Sequence, residues 1–412
     1  MRANRRTFTM SMLALGLGSH ASAAPVLMSE LNRASSTDVT RWSNAWLEID
    51  ASVFEENLQR VKDRLSGQTQ VCVVMKADAY GHGISLLMPS IMKMKIPCVG
   101  VTSNEEGRMV RSSGFKGRLM RLRAASLGEM VEGMRYGFEE LLGNLEIARQ
   151  FSLVMQKREK TVAYHLALNS GEMNRNGLEL DDDQGRQQAL EILDMKGLRP
   201  VGIMTHFALD EKDRVWAGIA EFERDAHWLI EKAGLRRKSI TLHAANSSLT
   251  MEVPQTHLDM VRPGRILYGY SPKGDFKKAM TLKTRVASVN VYKAGSGVSY
   301  GHTHKLQRDS RLANIPVGYS DGYRRVFANK AQVLINGHRV PIVGAITMNT
   351  FMVDVTDFPD VRANDEVVLY GRQGREEITQ AELQVIMKDL LVDMATPWGS
   401  TNPRVLARRN TH

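Results

Sequence analysis

Short apolar runs alternate with longer amphipathic stretches from Val71 to about Ser271. The runs read VCVVM, CVGVT, RLMRL, ELLGN, YHLAL, VGIMT, ITLHA and DMVRP, and segments 82–94, 103–113, 144–158 and 212–234 between them carry helical periodicity. Eight strand candidates alternating with helices predict a parallel (β/α)8 TIM-type barrel. An open doubly wound sheet is the competing arrangement, and it is disfavoured because no Gly-x-Gly-x-x-Gly opens the first unit. Ser103 followed by Glu106 predicts a capping box at a helix start. The run around Glu140 is the weakest strand signal.

After about residue 280 the texture turns β-rich, in stretches such as KTRVASVNVYKAG, AQVLINGHRVPIVGAITM and DEVVLYGRQG. Asn336-Gly337, set between VLI and HRVPIVG, predicts a two-residue hairpin turn. The chain therefore divides into a barrel over 45–278 and a C-terminal, mainly β domain over 279–410. The early strand AWLEID (45–50) fits either the second domain or the opening of the barrel.

Composition narrows the class. A chain of 412 residues, 43% hydrophobic and 24% charged, has room for two or three folded domains and is neither disordered nor fibrous. The formal charge of +10 is spread among acids, with no basic run interleaved with aromatics, so nucleic acid is not an expected partner. Residues 1–23 read as a secretory signal that is removed. Arg2 to Arg6 supply the basic region, Met10 to Leu17 a short apolar core and Ala21-Ser22-Ala23 the cleavage site. That core is far below the roughly 20 residues that span a bilayer, so no membrane association is expected after processing. Export places the protein in the periplasm. Cys72 and Cys98 are the only cysteines, and in an oxidising compartment a lone pair on two apparent neighbouring strands favours a disulfide.

The densest chemical signal is VVMKADAYGHG, Val73 to Gly83. It ends a strand on a lysine at the barrel's C-terminal rim, where active sites of this architecture sit. An amine there becomes a nucleophile or base if burial or a nearby cation lowers its pKa. A lone lysine at a strand end is usually only a solvated charge. His302 and His304 have no acidic or cysteine partners in a zinc pattern, and no metal is expected. Asp181-Asp182-Asp183 reads as a helix start favoured by the dipole. The 23 methionines read as core filler.

Eight separated motifs occur in one order: VMKADAYGHG, LNSGEMNRNG, THF, HAANSS, RPGRILYG, VSYGHT, GYSDGYRR and VGAITMN. On these the mature chain resembles the alanine racemase family of pyridoxal-phosphate enzymes, most closely its exported, broad-specificity branch. The resemblance implies that Lys76 holds pyridoxal 5'-phosphate covalently and is one of two catalytic bases, with Tyr300 the base on the opposite face. It implies Arg262 at the pyridine nitrogen supported by His206, and a phosphate site of Tyr80, Ser247 and the backbone of Gly264 and Arg265. Arg175 is implied near the cofactor's phenolic oxygen, where it would lower the pKa of Tyr300. The Met348 amide is implied at the substrate carboxylate, and Tyr319 at the entrance. It further implies a head-to-tail homodimer in which Tyr300, Tyr319 and Met348 serve the partner's site.

Racemisation removes a proton from one face of Cα and returns one to the other, so it needs two acid–base groups. An arginine, always protonated, gives the pyridine nitrogen no proton, which suits racemisation better than transamination. Three positions depart from the strict alanine enzymes. Ala167 and Asn169 stand where their K-x-D-T-G motif has lysine and aspartate, and Asn349 follows Met348 where they usually have aspartate. In the broad-specificity branch that first asparagine helps hold a chloride in place of a modified lysine. Free amino acids are the implied substrates, with lysine, arginine and alanine among them. A dedicated alanine racemase and a non-catalytic pyridoxal-phosphate binding protein are the rival readings. The first is disfavoured by export, the second by the β domain and Tyr300.

Overall fold

Each of the eight apolar runs forms a strand in the computed structural model, which describes residues 36–271 and 273–407. The expected export signal at 1–23 lies outside the described residues. After β1 (Ala45–Ile49) come β2 (Gln70–Val74), β3 (Cys98–Val101), β4 (Arg118–Arg121) and β5 (Phe138–Leu142). They are followed by β6 (Val162–Ala167), β7 (Leu198–Met204), β8 (Thr241–His243) and β9 (Met260–Val261). β2 to β9 pair in the order β8-β7-β6-β5-β4-β3-β2-β9, every ladder parallel. Bonds from Asp259 N to Leu242 O (3.1 Å) and Arg262 N to Ala245 O (3.0 Å) draw β9 against β8 and close the ring. The strands are buried almost throughout, as a sheet covered by helices requires.

Local signals set the helices. Ser103 and Glu106 form the capping box that starts the helix Asn104–Ser112, and a second box, Ser126 with Glu129, starts Leu127–Gly133. Asp182 caps the helix Asp183–Leu193 by accepting from Gly185 N, so the triple aspartate is a helix start. The weak run around Glu140 becomes β5 because its charges find buried partners. Glu140 and Arg121 form an ion pair (2.6 Å) that is closed to solvent, and Arg121 also donates to Asn104 Oδ1 (2.7 Å).

The second domain is a sheet of β10 (Met280–Arg285), β11 (Ser288–Tyr292), β14 (Ser310–Ile315), β15 (Gln332–Ile335), β16 (His338–Val343), β17 (Phe351–Asp354) and β18 (Glu366–Gln373). β19 (Glu376–Ile378) extends β18, β20 (Arg404–Leu406) closes one edge, and β12 (Gly297–Val298) pairs β13 (His304–Lys305) apart from the sheet. Asn336 and Gly337, both at positive φ (51° and 79°), turn β15 into β16, with Ile335 opposite His338. β1 joins this sheet, antiparallel to β10 and parallel to β20. The chain therefore enters the barrel layer only at the helix Ala51–Lys62, not at residue 45. Four of the five residues of β1 are buried, so the strand needs cover on both faces.

Cys72 and Cys98 lie opposite each other in the β2–β3 ladder, both buried and with their thiols free here. They pack with Met120 and Met260. No helix among the described residues is long and apolar enough to cross a membrane.

Candidate active site

β2 delivers Lys76 to the C-terminal mouth of the barrel and runs into a turn of unusual hand. Ala77, Asp78, Ala79 and Tyr80 have φ of 53°, 50°, 57° and 54°, four successive non-glycine residues in the left-handed region. Each costs roughly 1–2 kcal/mol, so the surroundings must hold the turn in place. Asp78 does much of this. Its carboxylate accepts from Ile84 N (2.7 Å) and pairs with Arg404 of β20, while its N–H donates to Glu106 (3.2 Å). The C-terminal helix Leu391–Thr401 presses on the turn from behind. A Cβ on Gly399 would sit 2.1 Å from the Gly81 carbonyl oxygen, so only glycine permits the approach. Tyr80 then packs at a tilt against Tyr268 (4.8 Å between ring centroids), whose hydroxyl donates to Val74 O (2.9 Å).

One cavity of about 370 Å³ is lined by Lys76, Tyr80, Arg175, His206, Ser247, Arg262, Gly264 and Arg265 together. Lys76 opens onto it, so water reaches the ammonium, yet the walls crowd it. That desolvation, followed by the charge of Arg175, lowers its pKa from the usual lysine value against a smaller opposing pull from Glu106. A lowered pKa raises the fraction of neutral amine available as nucleophile or base. Burial pushes Tyr80 up to about 12, with Arg265 opposing, so its hydroxyl stays protonated and can donate.

The rest of the site is polar and positive. Gly264 N donates to Ser247 Oγ (2.9 Å), and a Cβ at 264 would lie 2.5 Å from Tyr80 Oη. Glycine alone lets these three groups converge. Arg262 is buried and bonded only to neutral acceptors: His243 Nδ1 (2.6 Å), Thr205 O (2.9 Å), Ala244 O (3.1 Å) and His206 Nδ1 (3.3 Å). Burial lowers it to about 10, which leaves it charged at neutral pH. Burial and then the nearby cations Arg262, Arg175 and Lys76 push His206 down to about 3, so its imidazole is neutral. A hydroxyl-lined end for a phosphate, a fixed guanidinium and an activated amine on one cavity fit pyridoxal phosphate.

Other expected site residues fall elsewhere. Ala167 is buried behind the wall, packed with Leu141 and Met204, which do line the cavity. Asn169 is buried, and its amide donates to Asn174 Oδ1 (2.7 Å) and to the Glu179 carboxylate. Tyr300, Tyr319 and Met348 belong to the second domain and do not line the cavity; they are 78%, 43% and 55% exposed. They share a face, because Ser299 Oγ donates to Ala345 O (2.8 Å), Tyr319 N to Thr347 O (3.1 Å) and Ser320 N to Met348 O (3.0 Å). Asn349 joins them through Ser320 Oγ (2.8 Å). Within one chain, Arg175 acts on Lys76.

The sequence reading missed the apolar wall of Leu122, Leu141, Met173, Met204 and Phe207, and the single acid Asp210. Nothing separates such wall residues from core in sequence, although Met173 and Asn176 lie inside a recognised motif. A second cavity of about 400 Å³ carries no comparable set, since its Arg60 pairs with Asp275 and its Lys273 with Glu252.

Comparison with known proteins agrees with this geometry. Residues 49–272 match the alanine racemase N-terminal domain and 279–406 the alanine racemase C-terminal domain. A broad specificity amino-acid racemase of Pseudomonas putida is 51% identical over 98% of this chain and 99% of its own. A lysine racemase of Proteus mirabilis is 44% identical over 88% of this chain and 90% of its own. The solved alanine racemase of Clostridium difficile 630 superposes with a TM-score of 0.81 at 26% identity, covering 89% of this chain and 97% of that one. With both domains matched in order and relatives alike from end to end, the chain belongs to the alanine racemase family of pyridoxal-phosphate-dependent racemases.

Proposed function

We propose that this enzyme interconverts the L- and D-forms of several amino acids, using Lys76 of one subunit and Tyr300 of its partner as the two proton carriers. One observation carries the reading: Lys76 is the one lysine on its cavity, while Tyr300 stands exposed on the same face of the second domain as Tyr319 and Met348. A head-to-tail dimer joins the two. Bound in the cavity, pyridoxal phosphate supplies the electron sink that makes the substrate Cα–H acidic. Lys76 Nζ holds the cofactor and moves the proton on one face, and the partner's tyrosine hydroxyl moves it on the other. Arg262 and His206 would hold the cofactor's ring, Tyr80, Ser247, Gly264 and Arg265 its phosphate, and Arg175 would lie by its phenolic oxygen. The Met348 amide and Tyr319, supplied like Tyr300 by the partner subunit, would orient the substrate at the entrance.

Breadth is supported by the small Ala167 behind the wall, by the neutral Asn349 and by the flexible lining of Met173 and Met204. Asp210, the acid on the cavity, favours long cationic side chains. One missing methylene discriminates by only about 1–3 kcal/mol, so a roomy site ranks substrates gently. Measured under one condition, kcat/KM for L-alanine, L-methionine, L-lysine and L-arginine should fall within about two orders of magnitude. A preference for alanine over all three by several orders would defeat the proposal of breadth.

The same reading includes export to the periplasm and a Cys72–Cys98 bridge formed there. In-register neighbours on adjacent strands lie about 4.8 Å apart, within the span a disulfide covers. A bridge closing this loop contributes on the order of 3 kcal/mol if unstrained. Non-reducing peptide mapping of exported enzyme should recover the linked pair, and quantitative labelling of both thiols would contradict it.

A further inference from the structure

The interior of this barrel is not filled by aliphatic layers alone. From Arg262 at the mouth, an unbroken polar chain runs to the opposite rim. Arg262 donates to His243 Nδ1 (2.6 Å), His243 Nε2 meets His165 Nδ1 (2.8 Å), and His165 Nε2 meets a Glu139 carboxylate oxygen (2.9 Å). Arg118 holds that carboxylate from the far side through Nε (3.0 and 3.1 Å). Both imidazoles are buried and lie edge to face, 4.7 Å between centroids.

The two ends decide the protons in between. A guanidinium only donates, so His243 Nδ1 must accept, and the ring carries its proton on Nε2. His165 Nδ1 accepts that proton's bond, which puts the second proton on Nε2, aimed at a carboxylate that only accepts. No other neutral arrangement satisfies all three contacts. Burial works to raise the Glu139 pKa, but bonds from His165 and Arg118 outweigh it and hold the carboxyl at about 2. The acceptor end therefore stays ionised. Burial lowers both imidazoles, most strongly His243, which keeps them neutral.

From this geometry we infer that Glu139 is a positioning residue for the reaction: as the acceptor-only end it fixes the tautomer of His165, which locks the His243 ring against Arg262 and thereby holds the plane of the guanidinium. Glu139 touches neither cofactor nor substrate. The functional half rests on Arg262 facing the cofactor ring; the tautomer half does not.

The test uses cofactor-loaded enzyme with 15N-labelled histidine. In the wild type, His165 and His243 should both show protonated Nε2 and bare Nδ1. E139Q can present either an amide N–H or an amide oxygen to His165, so the end no longer accepts only, and the His165 tautomer should become mixed or switch. Its kcat should fall about tenfold or more, with little change in KM and one cofactor still bound per chain. E139D keeps an acceptor-only end and should retain the wild-type tautomers and most of kcat. If E139Q fails to fold, H165Q cuts the chain next to His243 and should move the His243 signals. Unchanged tautomers in E139Q, or a fall in kcat without any tautomer change, would overturn the inference. Tautomers that move while kcat holds would remove the functional half alone.

Discussion

Replacing Tyr300 by phenylalanine should leave the cofactor bound and the chain folded, yet slow racemisation in both directions by about 10²–10⁴-fold. Tyr300 is 78% exposed and makes no part of the Lys76 cavity in its own chain, so losing one hydroxyl disturbs neither packing nor cofactor contacts. Both directions suffer because each needs one group to take the proton and another to return it. The variant should still exchange the Cα proton of one enantiomer with deuterium from solvent, through Lys76, while the mirror isomer stays protonated. Near wild-type interconversion of the two isomers by this variant would rule out a two-base scheme.

Lys76→Ala should be harsher. The amine is the cavity's only lysine, and its pKa is lowered by the crowded wall and by Arg175. Its removal takes away both the covalent hold on the cofactor and one of the two proton carriers. Racemisation should fall by at least about 10³-fold, and borohydride treatment should no longer fix cofactor to the chain. In the wild type the same treatment should place the label on the Lys76 peptide. A label on any other lysine would contradict the assignment.

The fold was legible where the signal is local. The eight strands follow from apolar runs, and the helix starts from Ser103 with Glu106 and from the triple aspartate. The β15–β16 turn follows from Asn336-Gly337. Pairing between distant segments was not legible. AWLEID reads as a buried strand in either sheet, and only its ladders with β10 and β20 decide. β5 looked weak because Glu139 and Glu140 count against a buried strand until Arg118, His165 and Arg121 appear beside them.

Much of the site was legible because its groups sit in short motifs at strand ends, so eight of them reach one cavity. The apolar wall was not, since Leu122, Leu141 and Met204 look the same in sequence whether they face a core or a ligand. The bond from the Asn169 amide to Glu179, ten residues on, is a contact that no motif announces.

The most direct test of the account mixes the two inactive variants. Lys76→Ala and Tyr300→Phe chains, unfolded together and refolded with cofactor, should form hybrid dimers. Each hybrid holds one site with both substitutions and one with neither. Random pairing makes about half the dimers hybrid, so about a quarter of all sites should regain full activity. Recovery to about a quarter of the wild-type rate per site would show that Lys76 and Tyr300 meet across the subunit boundary. A mixture no more active than the two variants alone would contradict the shared-site racemase.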